Sequence, residues 1–556
     1  MSNNHPWYKS YPNGVEHEIS PEKFSSIVDI LESSMNEFNE LVAYENMGKT
    51  MTFDEVDKLS QNFASYLQNE VGLKKGDRIA LQMPNLLQYP IALFGALRAG
   101  LVVVNTNPLY TPREMKHQFN DSGVVAIVIV ANFAHNLEEI IAETSIKTVI
   151  ITQLGDQLGG FKKGLVNFVV KYVKKMVPSY NLPGAIDFNK ALSAGEGKSF
   201  NKPEITLDDN AFLQYTGGTT GVAKGATLTH GNIVANILQC DQWFLETEKG
   251  NELVVTALPL YHIFALTVNG LLMFSLGAKN LLITNPRDMK AFIGELKKVK
   301  MTVFTAVNTL FNGLLNQPDF VANVDFSKLK YSIGGGMAVQ GAVAKHWQEV
   351  TGIPLAEGYG LSETSPLLTC NPLDGTEQMG TIGMPVSSTN VCIMDEEGNQ
   401  LPQGEIGEIC AKGPQVMKGY WQLPEATKET FFGDWFRTGD IGIMNEDGFF
   451  KIVDRKKDMI IVSGFNVYPN EIEEVIVAHP KVLEVAAIGI FDEKTTEAVK
   501  VFIVKKETSL TEEEIIECCK LDLTNYKRPK HIEFIDELPK SNVGKIIRRL
   551  LREEES

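Results

Sequence analysis

Short apolar runs alternate with stretches of helical spacing, and that rhythm constrains the fold more than any other feature of the chain. Residues 78–83 and 124–131 read as strands, with a helix-like segment over 87–99 between them. The pattern continues through 252–258, a helix-like 267–276, 281–284 and 301–306. Strands joined by crossover helices build a mainly parallel sheet, which predicts an α/β fold. No fixed-period repeat underlies the pattern.

Between 392 and 453 the texture changes to short β-rich runs broken by Glu396-Glu397-Gly398-Asn399, Pro402-Gln403-Gly404 and Glu446-Asp447-Gly448, the turns of a smaller antiparallel subdomain. After the charged tract Asp454-Arg455-Lys456-Lys457-Asp458 come a strand, a helix over 470–478, strands over 482–490 and 498–505, a helix over 511–521 and a basic tail. A chain of 556 residues exceeds what one core serves. The division expected is a large α/β N-terminal domain with a β-rich subdomain, 1–456, and a small mobile α+β domain, 457–556.

Composition removes several function classes. With 52 Lys plus Arg against 69 Asp plus Glu, the net charge of -17 repels phosphodiester backbones, so nucleic acid is not expected as a partner. No uninterrupted apolar run is long enough to cross about 30 Å of hydrocarbon. The first twenty residues lack the apolar core of a signal peptide, which predicts a cytoplasmic protein. The six cysteines form no CxxC pair, so disulfide, zinc and iron-sulfur frameworks are not expected.

Chemistry first surfaces at Tyr215-Thr216-Gly217-Gly218-Thr219-Thr220-Gly221-Val222-Ala223-Lys224-Gly225, which follows the apolar run 211–213. Glycines let backbone amides turn toward an oxyanion, hydroxyls add donors, and a lysine neutralises phosphate charge. The string is not a Walker A loop, because Gly225 rather than Ser or Thr follows Lys224. It resembles the signature of the adenylate-forming superfamily, which includes acyl-CoA synthetases, luciferase-like enzymes and peptide-synthetase adenylation domains. Further blocks follow in the family's order: Pro259 to His262; Gly334-Gly335-Gly336; Gly358-Tyr359-Gly360-Leu361-Ser362-Glu363-Thr364; Trp435 to Asp440; Asp454 to Asp458; and Pro539 to Lys545. The resemblance spans the chain from about Val42 onward.

The resemblance implies ATP and CoA as cosubstrates, Mg²⁺ as cofactor, and an acyl-adenylate intermediate. Thr216 to Lys224 would embrace the β- and γ-phosphates, with Tyr215 also among the ATP-binding residues, Glu363 would meet Mg²⁺ with Thr216, and Thr364 would touch the α-phosphate. Tyr359 would face adenine, with Gly358 and Gly360 beside it in the ATP site, Asp440 the ribose hydroxyls, and Arg455 the ribose and phosphate. Lys545 would bridge carboxylate and α-phosphate as charge develops. His262 would position the acyl carboxylate without transferring a proton. Gly334, Gly335 and Gly336 would keep a pocket wall open for the acyl chain. Lys457 falls at the hinge about which the C-terminal domain turns between half-reactions, and Gly464 would line the CoA tunnel.

The tract 433–458 looks most like fatty-acyl-CoA synthetases of the bacterial long-chain type, which implies a long-chain fatty-acid–CoA ligase. Some members carry a gate tryptophan four residues after the histidine; Leu266 stands there in this chain. A coumarate-type aryl-acid ligase, a stand-alone enzyme loading a carrier protein, and a noncatalytic sensor remain the alternatives. Lys224, Glu363, Asp440, Arg455 and Lys545 are all present, which weighs against the sensor.

One segment has its own composition. Between Asp156 and Asp187 there is no acidic residue, while Lys162, Lys163, Lys171, Lys174 and Lys175 interleave with Phe161, Leu165, Phe168, Tyr172 and Met176. Residues 161–177 therefore read either as a cationic amphipathic helix ending at Pro178 that rests on an anionic inner leaflet, or as an ordinary surface helix with solvated lysines. The sequence does not fix the oligomeric state; a homodimer is compatible with it.

Overall fold

Burial explains why the apolar runs become central strands. Val102–Asn105 and Ala126–Val130 are buried at every position, as befits strands covered by helices on both faces. In this computed structural model, which describes residues 5–216, 223–492, 494–541 and 544–555, they belong to an eight-stranded sheet. Within it Asn210–Thr216, Val102–Asn105, Arg78–Gln82, Ala126–Val130 and Thr148–Thr152 run parallel. One edge turns antiparallel through Lys224–Thr229 and Gly419–Tyr420.

A nine-stranded sheet carries Leu253–Thr256, Val303–Ala306, Tyr331–Gly335 and Leu355–Gly360 as parallel neighbours, followed by antiparallel Leu367–Cys370. One apolar cluster draws residues from both large sheets, among them Ile79, Phe212, Val254 and Ile333. The helix Gln88–Arg98 contributes to that cluster and is buried along its whole length, the expected fate of a helix that is apolar on all sides. The helix-like stretch after His262 is a π-helix, Ala265–Leu272, continued by the short α-helix Met273–Ser275.

The hairpin-rich stretch forms the antiparallel sheet containing Asn390–Met394, Gly407–Lys412, Trp435–Met444 and Phe450–Arg455. A fourth sheet begins only at Ile460–Val462 and holds Phe465–Val467, Val482–Asp492, Thr496–Lys505 and His531–Ile535. Its core includes Ile472 and Ile476 from the helix Pro469–Val477 and Ile515 from Glu512–Asp522. The α/β class and the small C-terminal α+β unit are thus as the sequence predicts.

The lysine-rich segment departs from expectation in its length. The α-helix Gly160–Phe168 gives way to a π-helical turn, Val169–Val173, and stops before Pro178. Lys175 there adopts a φ of 51°, incompatible with continuing a right-handed helix. Phe161, Leu165, Phe168, Tyr172, Val173 and Met176 all stand exposed. Among the described residues no helix is long and apolar enough to cross a membrane. All six cysteines are free thiols.

Candidate active site

Parallel sheets place ligands beyond the carboxyl ends of their strands, and here those ends are glycines. Tyr331–Gly335 and Leu355–Gly360 lie side by side with Gly334 opposite Glu357 and Gly335 opposite Gly358. Missing side chains help to open a cavity at these strand ends. Gly335, Gly336, Gly358, Tyr359, Gly360, His262 and Lys545 all line it. Gly336 has a φ of 78°, and a Cβ on it would come within 3.3 Å of the Lys545 Cε. At Gly360 a Cβ would stand 1.8 Å from the Pro366 carbonyl oxygen, so no other residue fits. Gly334 is different: its Cβ would strike Val339 Cγ2 at 2.4 Å, and it does not line the cavity. Its small size serves packing behind the strand, a correction to the expected triple-glycine acyl wall.

Lys545 reaches the cavity from the C-terminal unit on a loop braced at both ends. Its N–H donates to Ser541 Oγ at 3.1 Å, and its carbonyl accepts from Ser541 N at 2.7 Å. Thr309 Oγ1 donates to the Gly544 carbonyl at 3.1 Å, and Asn312 Nδ2 to the Leu483 carbonyl at 3.1 Å, tying the unit to the helix Asn308–Leu315. Burial, reinforced by the Arg455 charge, pulls the Lys545 ammonium down to about 8. Burial likewise pulls His262 down to about 3, with Lys545 adding repulsion, so its imidazole is neutral near pH 7.

The expected nucleotide contacts converge on one carboxylate. Asp440 is buried, accepts the Tyr359 hydroxyl at 2.6 Å on Oδ2, and meets Arg455 Nε at 3.2 Å on Oδ1. Asp440 and Arg455 are direct cross-strand partners. Burial, then Asp440 itself, pushes the Tyr359 phenol well above its ordinary range and keeps it a donor. A carboxylate has about four lone-pair positions, so these two contacts leave room for hydroxyl donors.

At the phosphate side, Thr216 and Lys224 are partners on two antiparallel strands, and the expected contacts Gly217, Gly218, Thr219, Thr220 and Gly221 fall between them in sequence. Those five residues lie outside the described residues. Glu363 is 7% exposed, and its Oε1 accepts the Tyr420 hydroxyl at 2.8 Å. The Lys224 ammonium sits 5.1 Å from the centre of the Tyr420 ring, so this tyrosine links the acid to the base. Among the described residues no three His, Cys, Asp or Glu side chains form a metal cluster. Mg²⁺ commonly takes one or two carboxylates plus substrate phosphates, and a lone Glu363 beside the Thr216–Lys224 pair fits that pattern.

Two expected contacts are spent elsewhere. The Tyr215 hydroxyl donates to Asp121 Oδ2 at 2.5 Å, and Tyr215 does not line the cavity. Thr364 is fully buried; its hydroxyl, with one proton to give, lies within donating distance of the Pro366 and Leu361 carbonyls and accepts the Leu361 N–H at 2.9 Å. It closes the turn Ser362–Thr364 instead of facing a phosphate. Lys457 is exposed in the turn between Phe450–Arg455 and Ile460–Val462. Gly464 caps the next hairpin, has a φ of 83° and borders open space away from the cavity lining. Leu266 is buried and does not line the cavity.

Several supporting residues carry no signature in sequence. Asn85 takes the Thr256 and Leu258 carbonyls and the Leu260 N–H. Tyr89 donates to the Leu260 carbonyl at 2.9 Å, and Gln214 to that of Tyr261 at 2.9 Å. Together they pin the loop that presents His262. Arg548 makes a two-pronged contact with Glu473 and reaches Asp458 and Asn470, while Asp454 accepts the Asn470 N–H at 2.8 Å. This cluster clamps the linker tract 454–458 to the C-terminal unit.

Residues 31–421 match the model of the AMP-binding enzyme family, and 471–545 that of the AMP-binding enzyme C-terminal domain. A long-chain-fatty-acid–CoA ligase of Escherichia coli O6:H1 is 57% identical over 549 residues, covering 99% of this chain and 98% of the relative. Among solved structures, ATP-bound MatB of Rhodopseudomonas palustris superposes with a TM-score of 0.81 at 28% identity, covering 95% of this chain and 98% of the other. The anthranilate CoA ligase AuaEII, in complex with anthranoyl-AMP, gives a TM-score of 0.85 at 24% identity, covering 96% and 99%. At that identity the second likeness speaks to fold alone.

Proposed function

The chain belongs to the AMP-binding enzyme family, and from that premise we propose how its cleft carries out the reaction of a long-chain fatty-acid–CoA ligase. The enzyme joins a fatty acid to CoA while ATP is cleaved to AMP and diphosphate. The observation that carries the mechanism is Lys545, brought by the C-terminal unit into the cavity at Gly336 with Asp440, Arg455 and Glu363 as its charged neighbours.

A carboxylate oxygen attacks the α-phosphorus, and diphosphate leaves toward the Thr216–Lys224 pair. Both reactants are anions, so a cation between them lowers the barrier most where charge builds up. Lys545 is that cation. Asp440 holds the ribose hydroxyls, with Tyr359 and Arg455 fixing its orientation. Neutral His262 donates to the acyl carboxylate without competing for the proton of the thiol. Glu363 would hold Mg²⁺, supported by Thr216; when bound, the ion supplies charge neutralisation on the leaving phosphates.

The CoA thiol then attacks the acyl carbon, and AMP departs. Gly464 stands apart from the cavity in the described arrangement, which supports a turn of the domain 457–556 about Lys457 to bring Gly464 to the pantetheine path. The exposed aromatic and aliphatic side chains of 161–177, among five lysines, support a cytoplasmic enzyme that rests on an anionic membrane surface where its substrate partitions.

The test is thioester formation from octanoate, laurate, palmitate, oleate and coumarate with ATP and CoA. Palmitoyl-CoA and oleoyl-CoA as preferred products support the reading. Preference for coumarate, or diphosphate release without thioester, would overturn it.

A further inference from the structure

The far end of the cavity has no assigned function, and Cys240, Trp243 and Phe244, which also line the cavity, take no part in the chemistry above. Resting on the acyl-ligase reading, we propose that Phe244, packed against Tyr331 and lining the cavity next to Trp243, is the stop that sets how strongly long acyl chains are favoured over medium ones.

Strand periodicity locates the stop. Ile333 and Gly335 both line the cavity, and alternate residues of a strand share a face, so Tyr331 shares that face at the opposite end. Phe244 packs edge-on to Tyr331 with ring centres 5.0 Å apart. Four residues at about 3.3 Å each put Phe244 roughly 13 Å from the Gly335 end, where Lys545 enters. Carbon–carbon bonds of about 1.5 Å at tetrahedral angles advance about 1.25 Å per carbon, so about ten carbons fit before the ring. A palmitoyl chain overruns that length and must displace Phe244, whereas a decanoyl chain need not.

The surroundings make displacement feasible and tunable. Tyr331 is anchored, its hydroxyl accepting the Glu246 N–H at 2.5 Å. Trp243 has no such tether: its indole Nε1–H is buried without a hydrogen-bond partner among the described residues. Packing alone holds its side chain, and part of that packing comes from the N-terminal segment. Tyr11 meets the Trp243 ring edge-on at 5.6 Å, and the Glu16 N–H donates to Gln242 Oε1 at 3.1 Å. The segment is fastened in turn where Ser387 Oγ donates to the Glu16 carbonyl at 2.6 Å and Ser388 N to that of His17 at 2.8 Å. The N-terminal segment therefore buttresses the wall against which the acyl tail pushes.

The test compares kcat/KM for octanoate, decanoate, laurate, myristate and palmitate in the full-length protein, Phe244→Ala, Phe244→Leu and Phe244→Trp, with Tyr11→Ala to loosen the buttress. Each methylene that newly finds apolar wall raises kcat/KM about fourfold, equivalent to about 0.8 kcal/mol. Room for two more methylenes raises the palmitate-to-decanoate ratio roughly sixteenfold in Phe244→Ala and less in Phe244→Leu. Phe244→Trp lowers the ratio, Tyr11→Ala raises it modestly, and octanoate turnover stays near the unsubstituted level throughout. A ratio unmoved in Phe244→Leu and Phe244→Trp, or an equal loss at every length, overturns the proposal while leaving the ligase reading intact. Failure of the unsubstituted protein to activate any of these acids would overturn the ligase reading itself, and this proposal with it.

Discussion

The lowered affinity of Lys545 for its proton gives the adenylation half-reaction a pH signature. With a pKa of about 8 in the ligand-free protein, the side chain is charged in about nine-tenths of molecules at pH 7 and about one-tenth at pH 9. The cation is the active form, so kcat/KM for ATP in the diphosphate-releasing step falls about tenfold between pH 7 and 9, about fivefold of it between pH 8 and 9. Bound triphosphate places negative charge near the ammonium and raises its pKa, so the same limb in kcat moves to higher pH. Glu357, raised by burial to about 8, titrates over the same range and could mimic the effect. Lys545→Arg separates the two, because a guanidinium stays charged throughout. The limb vanishes in that variant while the absolute rate drops, since the larger head must fit against Gly336. Lys545→Ala loses about 10²- to 10³-fold in adenylation, the usual cost of deleting one preorganised charge donor. Thioester formation from preformed acyl-adenylate is spared. A basic limb unchanged in Lys545→Arg, or adenylation within a few-fold of normal in Lys545→Ala, would refute the assignment.

Other residues yield independent expectations. Glu363→Gln raises the Mg²⁺ concentration for half-maximal diphosphate release roughly tenfold or more, with the melting temperature unchanged. Arg548→Ala leaves Glu473 buried without its guanidinium partner and costs about 3–5 kcal/mol in denaturant titrations of the C-terminal unit; a loss under 1 kcal/mol would contradict the clamp. Replacing Lys171, Lys174 and Lys175 with Gln weakens sedimentation with anionic vesicles and restores none of it at high salt, while octanoate turnover is unaffected. Unchanged vesicle binding would remove the membrane role of 161–177.

The sequence carries the fold where burial acts through local pattern. Runs such as Ala126–Val130 are apolar at every position because helices cover both faces, and that is visible without coordinates. Lys545, Asp440 and Arg455 could be singled out because their surroundings recur as ordered motifs. What stayed hidden depends on contacts remote in sequence or on the direction of one side chain. Asn85 and Gln214 are ordinary amides in apolar stretches until the chain brings the 256–262 loop against them. Tyr420 gains meaning only from Glu363 in the turn Ser362–Thr364 and Lys224 on a remote strand. Conversely, Thr364 and Gly334 sit inside signature motifs, yet one closes a turn and the other packs against Val339. Motif membership marks a neighbourhood, and the backbone then decides which member faces it.

The central claim, that this cleft forms an acyl-adenylate before the thioester, is tested most directly by oxygen transfer. Palmitate labelled with ¹⁸O in its carboxylate is turned over with ATP and CoA, and the nucleotide product is analysed by mass spectrometry. The account predicts AMP carrying one labelled oxygen, because the attacking carboxylate oxygen stays on the α-phosphorus when the thiol displaces it. Unlabelled AMP, or ADP with label in inorganic phosphate, would contradict it.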